Sequence, residues 1–213
     1  MMLDKGSFSR KATQSVRNAM ASALAGYVAG LSWDLDDGTT VKFAQVFDRW
    51  PHYLQRTVDP SACVLPGSWK YGDALLTPTL LEDTWEPKGG DGWGLYKTAE
   101  AEMELELSFR ATTAEERDQL ILGLEEAFQD PNVLMSQQGA ANRIVLPLPT
   151  YYGLSARYSL LSGRLIDSEE QAMREQRDAI LTISAQASKV KLAPVHPMCL
   201  TIRKLSIDET PIT

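Results

Sequence analysis

The chain opens with a helical pattern. Val16, Met20, Ala23, Leu24, Tyr27, Val28 and Leu31 recur at intervals of three and four, which predicts a helix from Ser9 to about Ala29. Ser7 or Ser9 can cap its start and Gly30 can stop it. Arg10, Lys11 and Arg17 stand where the helix dipole opposes positive charge, a placement that an acidic surface on a partner would explain. Period-two alternation dominates later. In Ala99–Ala111, Ala101, Met103, Leu105, Leu107 and Phe109 alternate with Glu102, Glu104, Glu106, Ser108 and Arg110, which predicts a long strand with one apolar and one acidic face. Thr112 with Glu115, or Thr113 with Glu116, then makes a capping box for a second helix. Leu120, Ile121, Leu124 and Phe128 supply its buried stripe, and Asp130–Pro131 ends it.

Between the helices the pattern is shorter and more broken. Asp34–Gly38 reads as a turn and Val41–Phe47 as a strand. The proline-bearing stretch from Arg49 to Gly67 predicts a loop with one short strand, Ala62–Leu65, and a strand pair follows across Ala74–Thr84. Glu86–Gly94, with four glycines and a proline, is a flexible loop or hairpin tip. After Pro131 strands are expected at Arg143–Leu148, Leu154–Leu161, Arg164–Asp167, Ala179–Ala187 and Met198–Leu205. The stretch Ser168–Arg177 is a polar excursion, and the last eight residues form a loose tail. The sum is an α+β fold, a mixed or antiparallel β-sheet flanked by two main helices. Residues 1–213 are expected to form a single domain in which 131–213 complete the sheet.

Composition is that of an ordinary globular chain, 44% apolar and 23% charged over 213 residues, so a core can be buried. No leader-like apolar region opens the chain and no apolar run approaches a membrane span, so neither secretion nor membrane insertion is expected. The formal charge of −7 argues against non-specific binding to phosphate backbones. Its distribution is uneven. Residues 99–130 hold ten acids and two bases, so this one strand–helix unit carries the acidity and the remainder sums to +1. Charge runs are usually solvated faces. The alternative is that Glu102, Glu104 and Glu106 line a channel, past which DNA would slide without sticking.

Candidate chemistry is sparse. His52 and His196 are the only histidines, and no paired Cys or His spacing suits zinc. A grouping of His52, Cys63 and Asp59 as base, nucleophile and orienting acid has no support in the spacing. Cys63 and Cys199 can form one disulfide, but isolated pairs are usually buried small hydrophobes. Gly89–Gly94 lacks the phosphate-loop pattern. Asp34, Asp36 and Asp37 begin like a calcium loop, but Gln45 stands where the closing glutamate belongs. No cofactor and no metal is expected. A small hydrolase working through carboxylates and a regulatory module binding through edge strands are competing readings.

The passage MELELSFRATTAEERDQLILGLEEAF, an alternating strand running through a Thr-containing turn into a capped helix, resembles the tail-terminator and head–tail joining (neck) proteins of long-tailed bacteriophages. The opening KATQSVRNAMASALAGYVAG resembles that family's first helix, and the likeness covers residues 9–130 in outline. Two features depart from it: the chain is longer than is typical, and its β-rich part after Pro131 exceeds the single closing strand expected. The resemblance implies a virion protein that forms a homo-oligomeric ring, commonly of six subunits. Such a ring caps the tail tube, meets the head connector and lets DNA through without binding it specifically. On that reading Glu102, Glu104 and Glu106 face the lumen, and Lys88, Asp91, Trp93, Glu169 and Arg174, in the two flexible stretches, contact neighbouring proteins. Another tail component, of the tube or the baseplate, is the alternative within the same class.

Overall fold

A computed structural model describes residues 14–34, 38–49, 51, 57–72, 79–81, 92–128, 143–166 and 177–195. In chain order these form α1 (Val16–Ala29), β1 (Trp33–Asp34), β2 (Thr40–Val41), β3 (Gln45–Phe47), β4 (Ser61–Tyr71), β5 (Thr79–Leu80) and β6 (Gly92–Ala111). There follow α2 (Ala114–Ala127), β7 (Arg143–Leu148), β8 (Leu154–Ile166) and β9 (Arg177–Val195). The fold is α+β. β1 and β2 make a small hairpin, and the other strands form one seven-stranded sheet in the order β3-β4-β6-β9-β8-β7, with β5 also on β6. It is a mixed sheet: β3 runs parallel to β4, and every other pairing in it is antiparallel.

Alternation decides which face each helix covers. Along β6, Ala101, Met103, Leu105, Leu107, Phe109 and Ala111 are buried, and their neighbours across the ladder, Ala179, Leu181, Ile183, Ala185 and Ala187 of β9, are buried too. α1 packs on this face through Val16, Ala19, Met20, Leu24 and Val28, and its alanines let the helix approach the sheet closely. Burying each of Met20 and Leu24 contributes about 1.5–3 kcal/mol. α2 covers the same face through Leu120, Leu124 and Phe128. The two helices meet where the Tyr27 hydroxyl donates to the Ala127 carbonyl at 3.1 Å and its ring meets Phe128 edge-on. The Tyr158 hydroxyl, from β8, donates to the Met20 carbonyl at 2.9 Å and fixes α1 across the sheet.

Local chemistry sets the ends. Ser15 caps α1, its side chain accepting from the Asn18 amide. Gly30 ends that helix with φ of −87°, in the right-handed region, so its C-cap role does not draw on a positive φ. Of the two predicted capping boxes, the Thr113–Glu116 one forms: Thr113 accepts from the Glu116 amide, and Glu116 reaches back to the Thr112 amide and hydroxyl. The Arg17 guanidinium lies 4.1 Å over the Trp69 ring, a cation–π contact within the chain at the helix start.

Several strands differ from their predicted bounds. Val41–Phe47 is two strands, because Phe43 turns into the core and the chain changes partner there, with the Ala44 amide donating to the Pro60 carbonyl. β4 runs from Ser61 to Tyr71 rather than stopping at Leu65, passing through Pro66 and a bulge before Trp69. Proline is tolerated because this stretch has a strand on one side only among the described residues. The two strands predicted at Leu154–Leu161 and Arg164–Asp167 are one, bulged at Leu161 and continuing through Gly163. A Cβ at Gly163 would stand 2.7 Å from the Leu181 side chain, so the absent side chain is what lets β9 pack there. β6 extends back to Gly92 and β9 out to Val195, so part of the glycine-rich stretch is strand. The helix starts predicted at Ser7 or Ser9, the helix end at Asp130–Pro131, most of Ser168–Arg177, Met198–Leu205 and the tail lie outside the described residues.

Candidate functional site

The face of the sheet opposite the helices is the candidate site, because it carries Glu102, Glu104 and Glu106, the acidic row singled out in the sequence. Its rows follow from register. Lys70, Glu102, Gln186, Arg157 and Val145 cross β4, β6, β9, β8 and β7 in one line. Glu104, Ser184, Ser159 and Arg143 form the next, and Glu106, Thr182 and Ser162 the one after. Glu102, Glu104 and Glu106 therefore share one face, as the alternation predicted.

Their surroundings are not uniformly acidic. Lys70 binds Glu102 at 2.8 Å, and Gln186 donates to the other Glu102 oxygen. The Lys70 hydrogen bond foremost, and its charge as well, hold the Glu102 carboxyl below the usual carboxylate range. Ser68 donates to Glu104 at 2.9 Å, and Glu100 takes Lys97 and Ser188. Arg110 meets Asp178 at 3.5 Å at the far end of the face. Arg143, Arg157 and Arg164 are exposed and form no ion pair among the described residues. The face is thus a glutamate ridge on β6 and an arginine ridge on β7–β8, separated by the polar row Ser188, Gln186, Ser184 and Thr182 of β9. A charge count along the chain sees the first ridge and misses the second, because cross-strand neighbours are remote in sequence.

An open cleft of about 280 Å³ runs over this face beside the β4 bulge, lined by Ser68, Lys70, Glu102, Glu104, Leu161 and Ser184 among others. A second, of about 190 Å³, lies by Cys63, Ser108, Arg110 and Asp178. Cys63 is buried and free, and its burial, reinforced by the nearby Asp48 charge, pushes the thiol up to about 11, which opposes nucleophilic use at neutral pH. Asp59 accepts from the Ser61 hydroxyl. His52 and His196 lie outside the described residues. Asp34 accepts from Thr40 across the β1–β2 hairpin, while Asp36 and Asp37 are not described. No group of three or more His, Cys, Asp or Glu side chains suited to a metal occurs among the described residues. Asp48 and Glu102 both hold their protons less tightly than usual, the wrong direction for a general acid.

The chain matches no protein-family model, and no curated protein is significantly similar to it. No helix among the described residues is long and apolar enough to cross a membrane. Of the residues assigned to partner contacts, Trp93 is the second residue of β6, in register with Pro194, and Lys88, Asp91, Glu169 and Arg174 lie outside the described residues. The residues that sequence reasoning missed are Lys70, Arg143, Arg157 and Arg164. One signal was available for the first: Pro66–Gly67 followed by Trp69–Lys70 reads as a bulged border strand once the stretch is recognised as strand at all.

Proposed function

We propose that this chain is a structural virion protein of a tailed bacteriophage, a tail-terminator or neck protein whose ring caps the tail tube and joins it to the head connector. The observation that carries the reading is the one-sided sheet. Both described helices pack on one face, and the other is a broad polar surface bearing Glu102, Glu104 and Glu106 in a row. A wall of this kind suits a ring: the helix layer gives the subunit its core, and the polar layer faces an aqueous lumen. The strand-to-helix passage from β6 through Thr112 and Thr113 into α2, which carries the sequence resemblance, is the same unit that builds this wall. The glutamate ridge opposes adhesion of a passing polyanion, whereas Arg143, Arg157 and Arg164 on the same face do not. A tube or baseplate role is the second reading, favoured by the length of β6 and β9, which suits rings stacked into a barrel.

Light scattering on the purified chain, followed by negative-stain imaging of the same peak, tests the assembly. A closed ring with a central hole is expected, either alone or on purified tails, and a monomer in both settings would overturn the reading. Charge reversal of Glu102, Glu104 and Glu106 together tests the lumen. Assembly and DNA passage left intact by that variant would remove these residues from the channel.

A further inference from the structure

Two stretches of the sheet's border are strand backbone with no strand beside them among the described residues. β3 covers β4 only at Ser61–Cys63, which leaves Val64–Tyr71 open. β7 covers β8 only at Leu154–Ser159, which leaves Leu160–Ile166 open. The two openings lie on opposite sides of the sheet. Large apolar side chains stand exposed on both: Trp69 (53%) and Tyr71 (42%) on one, Leu161 (56%) and Leu165 (54%) on the other. An open edge with exposed apolar side chains is a template for another strand.

We infer that a second copy of this chain docks head to tail, Leu160–Ile166 of one copy pairing with Val64–Tyr71 of the next. Strand direction supports it. β4 runs antiparallel to β6, while β8, two antiparallel steps away, runs parallel to it. Copies set side by side in one orientation therefore present their open edges antiparallel, the pairing that needs no reversal of the subunit. The covering strands do not collide, since β7 lies beyond the Leu160 end of the joint and β3 beyond the Ile166 end.

Sidedness limits the register to two-residue steps. Leu165 shares the helix-side face with Ala179, and Pro66 shares it with Leu105, and the step that overlaps the two open stretches along their whole length sets these two opposite each other. Gly163 falls beside Trp69 on the same side. On the polar side Arg164 meets the bulge at Gly67–Ser68, behind which Ser68 donates to Glu104. Arg164 has no ion pair within its own subunit among the described residues, and the joint brings it to the neighbour's glutamate ridge. Opposite charges thus meet where the two ridges come together. Pro66 supplies no amide donor and the bulges break the ladder, which discourages strands of other shape. Such an interface is heterologous, so it closes into a ring or runs on as a filament. Closure alone rests on the ring reading; the pairing does not.

The test is a full-length chain carrying Leu165→Cys and Pro66→Cys. Within one subunit these positions are three strand spacings apart and also out of line, since Leu165 shares a row with Ala62 of β4; the spacings alone amount to about 14 Å, beyond the roughly 7 Å that a disulfide tolerates. On oxidation a ladder of covalent dimers, trimers and higher species is expected on a non-reducing gel, absent from the single variants and from the parent chain. Arg164→Glu and Glu104→Arg each weaken association about tenfold or more in sedimentation experiments, and their combination restores it. A closed ring seen by electron microscopy without the cross-link overturns the pairing and leaves the ring standing. Cross-linked open filaments keep the pairing and overturn the ring. A chain that stays monomeric and uncross-linked at every concentration overturns the pairing.

Discussion

At the scale of single residues, two ionisable groups make the environment measurable. Glu102 is held below its ordinary value by the Lys70 ammonium hydrogen-bonded to it, with Gln186 adding a second bond. A carboxyl depressed in the folded state contributes stability above its unfolded value, near 4.5, and loses it as pH falls through the lower folded value. The pair is well exposed, so the stability effect is small. The sharper readout is the titration itself: NMR of the Glu102 carboxyl is expected to show a depressed midpoint that moves back toward the ordinary value in Lys70→Met. Cys63 moves the other way. With its thiol raised to about 11 by burial, it is expected to resist iodoacetamide at pH 8 in the folded chain and to react on unfolding, as peptide mapping would report. Rapid alkylation of Cys63 in the native protein would mean that β3 detaches freely from β4.

Between elements, the clearest case is Gly123 in α2. A Cβ there would stand 2.3 Å from the Trp33 indole of the β1–β2 hairpin, so this glycine is the notch that lets Trp33 lie against the helix. Exposed helix glycines gain roughly 0.5–1 kcal/mol on replacement by alanine. Here the sign is expected to reverse, with Gly123→Ala losing about 1–3 kcal/mol in urea denaturation because the ring must shift. The same contact shows what the sequence revealed and what it hid. Both helices, the Thr113–Glu116 cap and the buried face of β6 were legible, because each rests on neighbours within a few residues. Trp33 against Gly123, and Lys70 against Glu102, join positions far apart in the chain, and no local pattern encodes them. The continuity of β8 through Gly163 was hidden for a related reason: a glycine that punctuates a pattern in one dimension is, in the sheet, the space that Leu181 fills. The glutamate row was visible, and the arginine row completing its face was not, because β7 and β8 reach that face only through pairing with β9.

For the whole molecule, β6 and β9 are the axis, with β4 on one flank and β8 on the other. Amide hydrogen exchange is expected to be slowest at Leu105, Leu107 and Ile183, which are fully buried in this central pair, and far faster in the short β5 and the β1–β2 hairpin. Uniform exchange across the sheet would show that the centre is no more stable than its borders. The order of the chain gives this axis another meaning. Residues 92–111 leave the ribosome long before residues 177–195, so β6 emerges with its apolar row and without its main neighbour. α1 and β4 are already made and α2 follows at once, but they shelter Met103, Leu105 and Leu107 only in part, since the buried face they share is completed by β9. The nascent chain therefore carries an unfinished hydrophobic strand until its C-terminal third is made, which makes slow translation of that third a hazard for aggregation.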